Sequence, residues 1–188
     1  MFIPLRTAPY TVQIEISIDE THIVFCGGSI ISSFTILTAA HCTFEINNTD
    51  ITVRVGSAFN FGGEIFKVAK IVNYPMFEPY NMSFDIALLH LRSPIKLLAQ
   101  TKETVKLPKQ NEIFADDTNV LVSGWGATQN LRETNKKLRA VLVPIVNQEK
   151  CKQSYPELTD MNLCAGIFDK GGKDSCQGKK RALIFFKK

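Results

Sequence analysis

Long apolar runs are absent from the 188 residues. None approaches the roughly 20 residues that a helix needs to cross a bilayer, so no membrane partner is expected. Met1-Phe2-Ile3-Pro4-Leu5-Arg6 carries neither the basic-then-apolar pattern nor the small-residue cleavage site of a secretory leader. Histidine is scarce, at three residues, and no Cys-x-x-Cys or paired histidines occur. Zinc-type ligand spacing is therefore missing, and neither a metal nor a cofactor is expected. Acidic residues are missing from 179–188, where Lys179, Lys180, Arg181, Lys187 and Lys188 give +5. The whole chain is only +4, so the other 178 residues come to −1. Basic charge confined to one terminal run has the character of a solvated tail, which argues against a nucleic-acid partner. Internal repeats and low-complexity tracts are missing too.

What remains is a chain with 45% hydrophobic residues, arranged in short alternating segments. Val12, Ile14, Ile16 and Ile18 alternate with Gln13, Glu15 and Ser17, the period-two signature of a half-buried strand. Ile51-Thr52-Val53-Arg54-Val55 repeats it. Gly28 to Ile31 and Phe34 to Thr38 read as two strands joined by a tight turn at Ser32-Ser33. Ile65 to Val72, Ile86 to Leu91, Asn119 to Ser123 and Leu138 to Val143 complete the strands. The helical signal is one short segment, with Asn147 as its N-cap and an end near Tyr155. Many short strands broken by Gly, Pro, Asn and Asp predict an all-β, antiparallel barrel or sandwich. Arg92 to Lys109 has no clear period and carries Pro94 and Pro108, which suits a connection between two such units. Five cysteines in a chain of this size point to an oxidising compartment, and the odd number leaves at least one thiol without an intramolecular partner.

Four strings stand out, three of them for chemistry and one for structure. His41 lies in Leu37-Thr38-Ala39-Ala40-His41-Cys42, where small alanines allow close packing. Asp85 opens Asp85-Ile86-Ala87-Leu88-Leu89; alone it would read as a turn aspartate before a strand. Ser123-Gly124-Trp125-Gly126 offers glycines for close backbone approach and an indole to fill space. Asp174-Ser175-Cys176-Gln177-Gly178 is the last. Together these strings resemble the trypsin-like serine proteases of the chymotrypsin fold, and the resemblance runs from about residue 8 to Gly178.

The resemblance implies two antiparallel, six-stranded barrels, with 8–104 as the first and 105–188 as an incomplete second. It makes His41 the general base and Asp85 the acid that orients its imidazole. It places Asp174 at the base of a pocket selecting Arg or Lys side chains, and gives Gly178 an oxyanion-hole amide. It pairs Cys26 with Cys42 and Cys151 with Cys164, and leaves Cys176 unpaired. His22 and His90 match no motif and are expected at the surface.

After Gly178 the resemblance stops. Lys179 stands where the family has an aspartate, and Lys180 stands where it has the nucleophilic serine. An Ile-Val-Gly-Gly start is also missing. The expectation is a secreted, monomeric protease chain, truncated before the catalytic serine and inactive as written. The intact parent would act on protein or peptide substrates and meet protease inhibitors. The alternative expectation is a non-catalytic homologue acting as a binding module or decoy. Asn47-Asn48-Thr49 and Asn81-Met82-Ser83 fit the glycosylation sequon, which matters only along a secretory route.

Overall fold

The structure is a computed structural model and describes residues 1–126 and 135–167. Its first β unit contains β1 (Thr11–Ser17), β2 (Ile23–Ser32), β3 (Thr35–Thr38), β4 (Ile51–Val55), β5 (Glu64–Asn73) and β6 (Ala87–Leu91). These six strands close into a barrel in the order β1-β2-β3-β6-β5-β4, every neighbouring pair antiparallel. Closure between β1 and β4 leaves no free edge in this barrel, so the ladder presents no template for pairing with another chain.

Period-two patterning explains the interior. Val12, Ile14 and Ile16 of β1 meet Ile51, Val53 and Val55 of β4, all at 2% exposure or less. Ile30, Ile36 and Leu89 fill the opposite side and are fully buried. Burying each such side chain contributes roughly 1.5–3 kcal/mol relative to leaving it in water.

Two expectations for β1 need correction. Ile18 lies outside the strand and is exposed. The Asp19 carboxylate gathers the N–H groups of Thr21 and His22, which turns the chain one residue earlier. Gln13 is buried instead of facing solvent, because its Oε1 accepts the Phe61 N–H at 3.0 Å. Strand β2 is longer than its apolar run suggested. It begins at Ile23 because Ile23 to Gly27 stay in register with β1, Ser17 pairing with Ile23 and Gln13 with Gly27. The following turn sits at Ser33-Phe34, one residue later than expected.

Among the described residues the second β unit is a two-stranded sheet, β7 (Asn119–Gly124) and β8 (Arg139–Pro144). Val120, Val122, Val143 and Ile145 form its own small core. A third cluster, with Ile3, Ala8, Tyr10 and Leu138 buried, joins sheet to barrel, and Trp125 packs against it. The indole Nε1–H donates to Ala58 O at 3.1 Å, which supports the space-filling reading of Trp125 and adds a bond to it. Among the described residues, a Cβ added at Gly124 or Gly126 meets nothing within 4 Å. The residues between β6 and β7 form no strand and run along the barrel, with Ile95 buried in its core and the Val105 N–H donating to Ile30 O.

After β8 comes the single α-helix among the described residues, α1 (Gln148–Ser154). Asn147 caps it, its Oδ1 accepting the N–H groups of Glu149 and Lys150 at 3.1 and 3.2 Å. Among the described residues, no helix is long and apolar enough to cross a membrane.

Candidate active site

Strand β3 ends at Thr38, whose hydroxyl donates to Gly27 O at 2.8 Å. The next two residues are small and buried, Ala39 at 5% and Ala40 at 0%, so the backbone can turn tightly against the barrel. A 3-10 turn over Ala40–Cys42 follows, with the Cys42 and Thr43 N–H groups donating back to Ala39 O and Ala40 O. Cys42 is joined to Cys26 of β2 by a disulfide with an S–S distance of 2.03 Å. His41 is thereby held between two anchored neighbours, Ala40 by packing and Cys42 by a covalent bond.

Asp85 reaches this turn because β3 and β6 are neighbours. Thr38 pairs with Ala87, so the chain leaving β3 and the chain entering β6 emerge side by side. Forty-four residues separate His41 from Asp85 in sequence, yet their side chains meet. His41 Nδ1 lies 2.7 Å from Asp85 Oδ2, and the His41 backbone N–H donates to Asp85 Oδ1 at 2.8 Å. A carboxylate only accepts, so Nδ1 carries the proton and Nε2 of the neutral ring keeps its lone pair. Both side chains are 16% exposed, which shields the pair from bulk water.

The acid's own loop is unusual. Met82 and Phe84 both adopt left-handed backbone, with φ of 57° and 53°. Such values cost a residue with a Cβ of order 1–3 kcal/mol and persist only where surroundings over-determine them. The Phe84 ring stacks on Tyr74 at 5.1 Å with an interplanar angle of 6°. The Ile86 N–H closes a tight turn onto Phe84 O at 2.7 Å, and the Tyr74 N–H donates to Ile86 O.

Sequence reasoning named the central pair and missed the residues around it. Ser83 Oγ lies 2.7 Å from Thr159 Oγ1, and Asn162 Nδ2 donates to Met82 O at 2.9 Å. Thr43 Oγ1 donates to Asn73 Oδ1 at 2.5 Å, fixing the far side of the histidine turn. No periodicity signals contacts of 30 to 81 residues' separation.

Of the other residues singled out, Cys151 and Cys164 form the second disulfide. His22 is exposed and bonds Asp19, whereas His90 is half-buried on β6, deeper than a surface side chain. Asp174, Cys176, Gly178, Lys179 and Lys180 lie outside the described residues. Ligand atoms of Cys26, His41 and Cys42 fall within 4.8 Å of one another. Both sulfurs are spent in the disulfide, so neither is a thiolate able to hold a metal.

Comparison with known proteins gives this geometry its context. The family model described as Trypsin matches residues 4–179. "Trypsin 5G1" of Aedes aegypti is 37% identical over 180 residues, covering 94% of this chain and 65% of that protein. The "Trypsin" of Simulium vittatum is 37% identical over 175 residues, covering 90% of this chain and 70% of its own length. The chain thus spans about two thirds of the length of these curated relatives.

Among solved structures, the scabies mite inactivated protease paralogue S-D1 superposes with a TM-score of 0.84 at 27% identity, covering 97% of this chain and 78% of that one. The structure named HL collagenase gives 0.85 at 26% identity, covering 98% and 79%. Sequence similarity along nearly the whole chain and backbone similarity to solved proteases agree, and on both grounds the chain belongs to the trypsin family of serine proteases, on the chymotrypsin-type fold.

Proposed function

We propose that this chain carries the base half of a trypsin-like serine endopeptidase site, with His41 as general base and Asp85 as the residue that orients it. The carrying observation is the double contact of Asp85 with His41, at 2.7 Å to Nδ1 and 2.8 Å from the backbone N–H. In the Ser-His-Asp scheme the imidazole Nε2 takes the serine proton as the oxygen attacks the scissile carbonyl. The same nitrogen then returns the proton to the leaving amine while the carboxylate stabilises the imidazolium. Asp174 extends the reading to substrates: by family resemblance its carboxylate selects Arg or Lys side chains. Two disulfides within one short chain support a secreted setting. Protein substrates, protease inhibitors and a monomeric state belong to the same reading.

Lys179 and Lys180 occupy the places where the resemblance puts the aspartate and the nucleophilic serine. A protonated lysine has no lone pair with which to form an acyl-enzyme. This chain therefore does not cleave peptides by the serine mechanism. An assay with an Arg- or Lys-ester substrate, together with an active-site serine reagent, is expected to show neither turnover nor labelling. Stoichiometric labelling would overturn the inactive reading.

A second reading has one observation in its favour: a solved neighbour at 27% identity is named an inactivated protease paralogue. On that reading the chain is a non-catalytic homologue that binds a partner or acts as a decoy. It requires a stably folded chain. A cooperative thermal transition together with saturable binding to one defined partner supports it, and aggregation on secretion removes it.

A further inference from the structure

We infer that Asn162, presented by the loop after α1, is a positioning residue that sets the aim of Asp85. The inference rests on the reading of His41 and Asp85 as base and orienting acid, and names what holds the acid in place. Its first observation is the loop from Asn81 to Asp85, where two residues with side chains sit at positive φ, Met82 and Phe84. The second is what touches that loop. Asn162 Nδ2 donates to Met82 O at 2.9 Å, the carbonyl of a left-handed residue, and reaches Asn81 O at 3.5 Å. The neighbouring Ser83 hydroxyl, in a residue 5% exposed, meets Thr159 Oγ1 at 2.7 Å.

The third observation is that the donor is itself held. Asn162 Oδ1 accepts both the Thr159 N–H at 2.9 Å and the Thr159 hydroxyl at 3.1 Å. Gln148 of α1 donates to Thr159 O at 2.9 Å. The Cys151–Cys164 disulfide closes this loop onto the helix. One amide thus faces two ways: its oxygen organises its own loop, and its nitrogen fixes the strained turn three residues before Asp85. A strained backbone persists only while such contacts over-determine it. Losing the donor lets the turn relax, and the carboxylate swings off His41 Nδ1.

The test is proton NMR on the full chain, reading the low-field resonance of the His41 Nδ1–H and its exchange with water. Asn162→Asp keeps an acceptor oxygen and removes the donor but adds a negative charge. Asn162→Leu, which removes the donor without a charge, is read beside it and must agree. Thr159→Val removes isosterically the hydroxyl that meets both Ser83 and Asn162 Oδ1, and leaves the Thr159 N–H to hold Asn162. Trp125→Phe, which loses the bond to Ala58 O and touches neither the Asp85 loop nor the Asn162 loop, controls for general destabilisation. Exchange of the His41 proton is expected to accelerate about tenfold in Asn162→Asp, the factor that one lost hydrogen bond of this strength represents. A smaller acceleration is expected in Thr159→Val and none in Trp125→Phe. An unchanged resonance in a folded Asn162→Asp protein overturns the positioning role. A wild-type chain lacking the resonance instead overturns the His41–Asp85 reading beneath it.

A different observation carries a second assignment. The geometry points to Asn47 as an N-glycan acceptor on a secretory route, and sets it apart from the other sequon. Asn47 is exposed at the start of a 3-10 turn over Asn48–Asp50, and its side chain makes no capping bond. Thr49 is exposed as well, with its hydroxyl on Asp50 Oδ1 at the surface. At the second sequon the Asn81 carboxamide accepts the Ser83 N–H at 2.9 Å, and the Ser83 hydroxyl is buried against Thr159. The folded chain accommodates a glycan at Asn47 without rearrangement, whereas one at Asn81 disturbs the loop holding Asp85.

The step transfers an oligosaccharide from a lipid-linked diphosphate donor. A bond forms from Asn47 Nδ2 to the anomeric carbon, the anomeric C–O bond breaks, and the amide proton neutralises the leaving lipid diphosphate. Translating the full chain behind an added cleavable leader with microsomes separates acceptor chemistry from native targeting, since protease protection reports lumenal delivery. One amidase-sensitive mass increment is expected, lost in Asn47→Gln and kept in Asn81→Gln. A protected chain without the increment, or an increment surviving Asn47→Gln, overturns the assignment.

Discussion

Asp85 spends both carboxylate oxygens on one residue, a backbone N–H and a ring nitrogen of His41. Removing the carboxylate therefore strands two donors in a site only 16% exposed. Asp85→Ala is expected to lower unfolding stability by about 1.5–3 kcal/mol, the range for hydrogen bonds to a charged group. Urea unfolding reads this as a lower midpoint at unchanged slope. Asp19 behaves differently, because its carboxylate is exposed. The Thr21 N–H first, then the His22 ring and the Thr21 hydroxyl, lower its carboxyl from 3.8 to about 2. A depressed carboxylate favours the folded form above its unfolded value and loses that contribution as pH falls through the folded value. The β1–β2 turn should thus hold from neutral pH down to about 4 and loosen between about 4 and 2. Amide exchange at Thr21 and His22, followed alongside the Asp19 carboxyl titration, checks the window.

Strand β2 shows how a glycine decides packing. A Cβ on Gly28 would sit 2.9 Å from Ile36 Cγ2, 3.0 Å from Ile14 Cδ1 and 3.0 Å from Leu37 O. Gly28→Ala is expected to cost about 1–3 kcal/mol by overpacking, seen as a lower thermal midpoint. Strands with alternating apolar residues, β1 and β4, were legible from sequence because those residues line the barrel core, although the intervening Gln13 of β1 is buried too. The first half of β2 was not: Phe25 faces outward and finds Phe61 edge-on at 5.3 Å, which breaks the apolar-in, polar-out rule. The cap of α1 was legible because Asn147 acts on N–H groups two and three residues away. His41 and Asp85 were legible only through their strings. The Asn162 contact has no local signature, since only the folded chain brings residue 162 to residue 82.

At the scale of the whole molecule, barrel and sheet are joined by directional contacts as well as by apolar packing. Thr11 Oγ1 meets Ser123 Oγ at 2.8 Å, the Ile3 N–H donates to Leu138 O, and Trp125 reaches Ala58 O. Trp125→Phe keeps an aromatic ring but removes the indole donor and part of the packed ring volume. It is expected to destabilise the chain by about 1–3 kcal/mol, the lost bond and the lost packing together. Circular dichroism must report this, because Trp125 is the sole tryptophan and fluorescence is lost with it.

The closed barrel also bears on how fast the chain reaches its native state. Two of its pairings, β1 with β4 and β3 with β6, join segments with other strands lying between them in sequence. Loop-closure entropy opposes such pairings before contacts reward them, which places this topology among slow folders. The His41–Asp85 bond forms only when β3 finds β6. In a refolding experiment its appearance would time the closing of the ring, making the chemical pair a clock for the topology.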